Sequence, residues 1–87
     1  MTFLATLTAY CVAGITASGV HTYPGVIAVD PAIIPLGSIV EIHDTKYKAL
    51  DTGPYVQGHH IDIYMTTCQA AEAYGVRRGK VKVLAGK

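Results

Sequence analysis

The chain is expected to be mainly β: about six short strands and one short helix, closed into a small barrel. Three observations predict this. Apolar residues recur in short alternating or continuous runs, each bounded by Gly, Pro, Asp or Thr, as strands do. A single segment near the C-terminal third changes to a helical composition. At 87 residues, 51% hydrophobic and 15% charged, the chain forms one domain and not a disordered segment. Short strands in so small a domain expose pairing edges unless the sheet closes on itself.

The elements follow in order. FLATLTAY (residues 3–10) alternates and predicts the first strand. Its start superficially resembles a signal peptide, but it lacks Lys or Arg near Met1, and Thr and Tyr interrupt an apolar stretch. The expectation is a strand, in a chain that is a fragment or is exported without a signal of its own. Residues 12–24, rich in Gly, Ser and Thr, predict a surface loop. GVIAVD (25–30) predicts a buried strand stopped by Pro31, and IIPLG (33–37) turns the chain. SIVEIH (38–43) and YKALD (47–51) predict two strands joined by a hairpin turn at Asp44–Lys46. HHIDIYM (59–65) predicts a fifth strand. Thr66 with Gln69 has the spacing of a capping box, Ala70, Ala71, Glu72 and Ala73 favour helix, and Gly75 suits a left-handed stop, so a helix is expected over 67–74. KVKVLA (80–85) predicts the last strand.

A net charge of +1 without a basic run excludes binding of nucleic acid through its phosphates. Apolar stretches fall well short of the ~20 residues that span a membrane as a helix. Cys11 and Cys68 match no local metal spacing. They are either a disulfide or two buried thiols. A bridge would close most of the chain into one loop, for roughly 4 kcal/mol, and a thin core gains most from such a link.

Three aspartates follow or interrupt apolar runs: Asp30 in AVDP, Asp51 in ALDTG and Asp62 in HIDIY. A carboxylate so placed needs hydrogen-bond partners or a proton. Turn chemistry accounts for Asp30 and Asp51 without any catalytic role. Asp62 is different: Asp is depleted in strands, no turn residue adjoins it, and Ile61 and Ile63 should point to the opposite face. Among the tyrosines, Tyr64 and Tyr74 suit core packing, while Tyr55 in a loop is equally suited to stacking on a sugar. Arg77, Arg78, Lys80 and Lys82 read as a solvated face or as an attraction for anionic polymers. His60 and Asp62 share a strand face, and His21, His43 and His59 are further imidazoles, but zinc needs three or four converging ligands. No metal and no cofactor are expected.

The motifs TAY, GITASG, GVIAVDPAIIPLGS, ALDTG, GHHIDIY and YGVRRGKVKVL occur in this order from about Thr8 to Leu84. Together they resemble the 3D domain, named for three aspartates. That domain is similar to the catalytic barrel of MltA-type lytic transglycosylases and to small stationary-phase muralytic enzymes of Gram-positive bacteria. The resemblance implies a six-stranded double-psi β-barrel. It implies Asp30, Asp51 and Asp62 as the three aspartates, with Asp62 as the single catalytic acid. Thr8 and Tyr10 match the T-x-Y of the first strand, and Thr16, Ser18 and Gly19 match the TASG loop. These hydroxyls, with Gln57 and His60, are the expected substrate-binding groups. Relatives that begin TAYC often carry a second cysteine ahead of the helix, which Cys68 matches and which favours the disulfide. Two departures stand out. Pro54 follows Gly53 where the family often has a second glycine, and Gln57 stands where it has a lysine.

The implied substrate is the glycan strand of peptidoglycan, and the implied products carry 1,6-anhydro-muramic ends. Asp62 would protonate the bridging oxygen and then accept the C6 hydroxyl proton, with Asp51 tuning and orienting it and Asp30 completing a hydrogen-bond network. Two other functions compete: a glycan-binding barrel without catalysis, and a hydrolase that uses two carboxylates. The expected setting is extracellular or cell wall, with the chain a monomer or a strand-exchanged dimer.

Overall fold

Alternation along the strands builds a closed wall around an aliphatic interior. The structure, a computed structural model, describes residues 1–85. Its elements are β1 (Thr2–Tyr10), β2 (Val26–Ala28), β3 (Ile39–Ile42), β4 (Thr45–Asp51), β5 (His60–Tyr64), α1 (Cys68–Tyr74) and β6 (Arg77–Ala85). The strands form a six-stranded barrel in the order β1-β5-β2-β4-β3-β6, and β6 returns to β1. The β1–β5 and β2–β4 pairs are parallel, and the other four are antiparallel. Ala5 and Leu7 of β1, Ile27 of β2, Val40 and Ile42 of β3, Ala49 of β4, Ile61 and Ile63 of β5 and Val81 of β6 meet inside. Closure leaves neither edge of this sheet unpaired, the liability that short strands would otherwise carry.

Four local expectations need correction. The β3–β4 hairpin turns on His43 and Asp44, ahead of the expected turn at Asp44–Lys46. Both residues have positive φ, 50° and 65°. A two-residue type I′ turn requires this, because its twist matches that of the strands. The central strand is shorter than 25–30: β2 ends at Ala28, and Val29 and Asp30 lead into the Pro31 turn. The last strand begins at Arg77, three residues early, because Arg77, Arg78 and Gly79 pair with Leu7, Thr6 and Ala5 of β1. Gly79 lets the chains approach there: a Cβ would lie 3.0 Å from Leu7 Cδ1.

The helix cap also moves. Thr67, extended at φ −124° and ψ 145°, accepts a hydrogen bond from the Ala70 N–H at its Oγ1, 3.1 Å away. The expected Thr66–Gln69 box is replaced because the helix starts at Cys68, which is bonded to Cys11 at the end of β1. Gly75 ends the helix with φ 66°, and its N–H reaches the Ala71 carbonyl at 3.4 Å. We expect Thr67→Ala to cost about 1 kcal/mol, lowering the melting temperature by about 4–8 °C. Thr66→Ala should shift it little; equal effects in thermal unfolding would contradict this cap.

No α-helix in the described residues is long and apolar enough to cross a membrane. Arg77 lies over the Tyr74 ring, 4.0 Å from its centre, and Tyr74 packs on the core, so this part of the basic end has a packing role.

Candidate active site

Strand pairing sets the site before any side chain is considered. Asp62 pairs with Thr8 of β1 on one side and with Ala28 of β2 on the other. Asp51 pairs with the same Ala28 from the far side. Directly paired residues face the same side of a sheet. Thr8, Asp62, Ala28 and Asp51 therefore form one row across four strands. The two acids stand two strand spacings apart, roughly 10 Å between backbones. The small Ala28 side chain leaves the space between them open.

Asp51 reaches this row through a bulge. Ile27 pairs with Ala49 and Ala28 with Asp51, so Leu50 is skipped. Without the extra residue, Asp51 would share the face of Ala49, which is 0% exposed in the core. The bulge turns the carboxylate out of the interior and into the groove, a common use of such irregularities near active sites.

Asp62, Ala28 and Asp51 of this row line a groove of about 420 Å³. Its walls come from the loop after β1, including Val12, Ile15 and Thr22, and from the loop after β4, including Pro54 and Val56. Asp51 accepts hydrogen bonds at both oxygens: Oδ1 from the Ala17 and Thr52 N–H groups at 3.0 and 2.9 Å, Oδ2 from the Tyr10 hydroxyl at 3.2 Å. Burial, with Asp51 beside it, pushes the Tyr10 phenol far up, so it stays a donor. Asp62 is half-buried. Among the described residues its carboxyl has one protein partner, the Thr8 hydroxyl, 2.9 Å from Oδ1. Burial pushes the Asp62 carboxyl up from its ordinary value and the Asp51 charge adds to this, while Thr8 and His60 oppose it.

Asp30 lies elsewhere. Its Oδ1 accepts from the Ala32 N–H at 2.9 Å and its Oδ2 from the Gly58 N–H at 2.8 Å. It ties the turn after β2 to the chain entering β5, and it is not among the residues that line the groove. These two backbone donors hold its carboxyl below the ordinary value. The stability it contributes is therefore present above the unfolded-state value and is lost as pH falls through the lowered folded value. Asp30→Asn keeps a single acceptor oxygen. We expect faster hydrogen exchange at the Gly58 or Ala32 amide and a shallower acid-side loss of stability; unchanged exchange at both amides would argue against the tie.

The other expected substrate groups divide. Thr8 and Tyr10 stand at the acids. Thr16 is buried, and its Oγ1 accepts from the Val20 N–H at 3.2 Å, closing the loop on itself. Ser18 is exposed, and its N–H bonds the Leu50 carbonyl at 3.0 Å. The TASG loop thus meets Asp51 through the Ala17 backbone. Gln57 donates to the Pro54 carbonyl at 3.0 Å, within its own loop. His60 is held between Thr8 Oγ1, 2.8 Å from Nε2, and the Tyr55 carbonyl, 3.0 Å from Nδ1. Sequence reasoning missed Ala28 and the apolar wall. An alanine in a buried strand carries no signal, and Val12 and Ile15 read only as loop residues. Cys11 and Cys68 form a disulfide with 5.0 Å between their Cα atoms.

The fold is that of a lytic-transglycosylase-like barrel domain. In E. coli lytic transglycosylase MltA, a crystal structure superposes with a TM-score of 0.66 and 27% identity, covering 90% of this chain and 28% of that one. An apo form of an MltA variant gives a TM-score of 0.67 and 25% identity, covering 87% of this chain and 28% of that one. The chain belongs to the 3D domain family, whose sequence model matches residues 25–85. Two relatives come from Bacillus subtilis (strain 168). The cell wall-binding protein YocH is 38% identical over 84% of this chain and 27% of its own length. The putative cell wall shaping protein YabE is 40% identical over 82% of this chain and 19% of its own length. The chain thus spans well under half of either relative.

Proposed function

We propose that this domain is a peptidoglycan lytic transglycosylase that cleaves the β-1,4 bond between N-acetylmuramic acid and N-acetylglucosamine and leaves 1,6-anhydro ends. One observation carries the reading. Asp51 spends both oxygens on Ala17, Thr52 and Tyr10, whereas Asp62 keeps one oxygen without a protein partner among the described residues and is pushed toward its protonated form. A single free carboxyl that holds a proton suits a reaction whose nucleophile is part of the substrate. Asp62 protonates the glycosidic oxygen as the bond breaks. The resulting carboxylate takes the proton of the C6 hydroxyl as that oxygen closes on C1. Hydrolysis by two carboxyls needs a second group free to activate water, and Asp51 is already engaged. Asp30 supports the loop entering β5.

The groove wall of Val12, Ile15, Pro54 and Val56 offers apolar contact to sugar faces and N-acetyl methyls. Tyr55, 88% exposed beside this wall, is placed to stack on a further sugar. The disulfide fits an oxidising setting outside the cytosol, at the cell wall. The similarity to YocH, a cell wall-binding protein, favours a second reading in which the groove holds glycan without cutting it. Mass spectrometry of purified peptidoglycan after incubation separates the readings. Anhydro ends support the transglycosylase, new reducing ends a hydrolase, and intact wall with retained protein a binding module.

A further inference from the structure

The hydrogen bonds around His60 do not balance unless a proton is shared. Its Nδ1 lies 3.0 Å from the Tyr55 carbonyl, which can only accept, so Nδ1 carries a hydrogen. Its Nε2 lies 2.8 Å from Thr8 Oγ1, and the same Oγ1 lies 2.9 Å from Asp62 Oδ1. Threonine has one hydroxyl hydrogen to place between two neighbours. If it goes to Asp62, Nε2 must donate, and the ring is an imidazolium. If it goes to Nε2, Asp62 must donate, and the carboxyl is protonated. In both arrangements a single acidic proton completes the chain of bonds. With none, one contact faces lone pair to lone pair.

We propose that Asp62, Thr8 and His60 form a single-proton relay, with His60 a positioning residue that sets the charge of Asp62 through the Thr8 hydroxyl. Transfer is a paired shift. The Nε2–H bond breaks as the proton joins Thr8 Oγ1, and the Thr8 O–H bond breaks as its proton joins Asp62 Oδ1. Imidazolium and carboxylate become imidazole and carboxylic acid, with no proton gained or lost. Strand pairing holds the parts in place: Thr8 pairs with Asp62 and Thr6 with His60, so all three relay groups share one face. The other groups facing the acid are Tyr10 of β1 and Asp51 of β4, the latter a charge that favours the proton on Asp62. Ala28 of β2 presents only a methyl. The His60 charge acts in the opposite direction to burial at Asp62, as a coupled pair demands.

The catalytic consequence rests on Asp62 being the acid of the proposed function; the coupling itself does not. The test therefore uses the whole chain without substrate. The side-chain carboxyl carbon of Asp62 and the ring nitrogens of His60 are followed by NMR against pH. The relay predicts that both probes show the same two inflections. Thr8→Val should reduce each probe to a single inflection, and Thr8→Ser should restore two. Independent single inflections in the parent, or curves untouched by Thr8→Val, would overturn the relay. If Thr8→Val does not fold, Asp62→Asn decides: the second His60 inflection disappears if the relay exists and persists if it does not. In the cleavage assay, His60→Gln should move the alkaline limb of the pH profile upward, because the acid then keeps its proton longer. Coupled titration without anhydro product keeps the relay and removes the transglycosylase; product with independent titrations does the reverse.

Discussion

Asp62→Asn should lower formation of anhydro ends by roughly 10²–10⁴-fold, the usual contribution of a general acid–base group, while the protein gains stability at neutral pH. The second half follows from burial. The folded-state pKa of Asp62 is raised above its unfolded value. The stability linked to this group is therefore fully present below the unfolded value and is lost as pH rises through the raised folded value. At pH 7 the unfolded chain ionises this group freely while burial opposes ionisation in the fold, a cost the parent bears and asparagine does not. The variant should melt at or above the parent temperature at pH 7, and the difference should shrink or reverse as pH falls into the carboxylate range. Product analysis with thermal unfolding at two pH values checks both parts. An undiminished cleavage rate would remove Asp62 from the role, and a lower melting temperature at pH 7 would contradict the burial argument. A residue that costs stability where it acts is the signature expected of a working acid.

Replacing both Cys11 and Cys68 by serine should cost roughly 4 kcal/mol, most of it through the freed unfolded chain. The bridge joins residues separated by 57 positions, tying the end of β1 to the start of α1. Small domains have only about 5–15 kcal/mol in total, so this loss is a large share. It corresponds to a fall of roughly 20 °C in melting temperature for a domain this size. Unfolding of the parent with reductant should match that of the double variant without it. Near-identical melting of oxidised and reduced parent would show that packing alone holds the helix. The effect should also reach the site, since the loop that begins at Cys11 supplies Val12 and Ile15 to the groove wall.

Much of the barrel was legible because its signals are local. HIDIY alternates, so Ile61 and Ile63 go to the interior and Asp62 to the other face. The helix was announced by composition and by Gly75. Errors came where the deciding partner was distant. The Thr66–Gln69 spacing favoured Thr66 as the cap, yet the helix starts at Cys68, bonded to Cys11 at the end of β1, and Thr67 caps it. The first residues of β6 look like loop, yet their backbones pair with β1.

The site shows the same division. The residues alone marked Asp62 as an acid out of place in an apolar strand, and the similarity to a family marked its two companions. By itself the chain determined which residues alternate, where turns are permitted and which carboxyl lacks a turn to serve. Only the tertiary structure decided that Asp51 faces Asp62 across Ala28, that Asp30 does not line the groove, and that His60 meets Asp62 through Thr8. The physical reason is that facing and pairing depend on the neighbouring strand. One skipped residue beside Ala28 reverses the side on which a carboxylate emerges, and no property of the ALDTG segment records it.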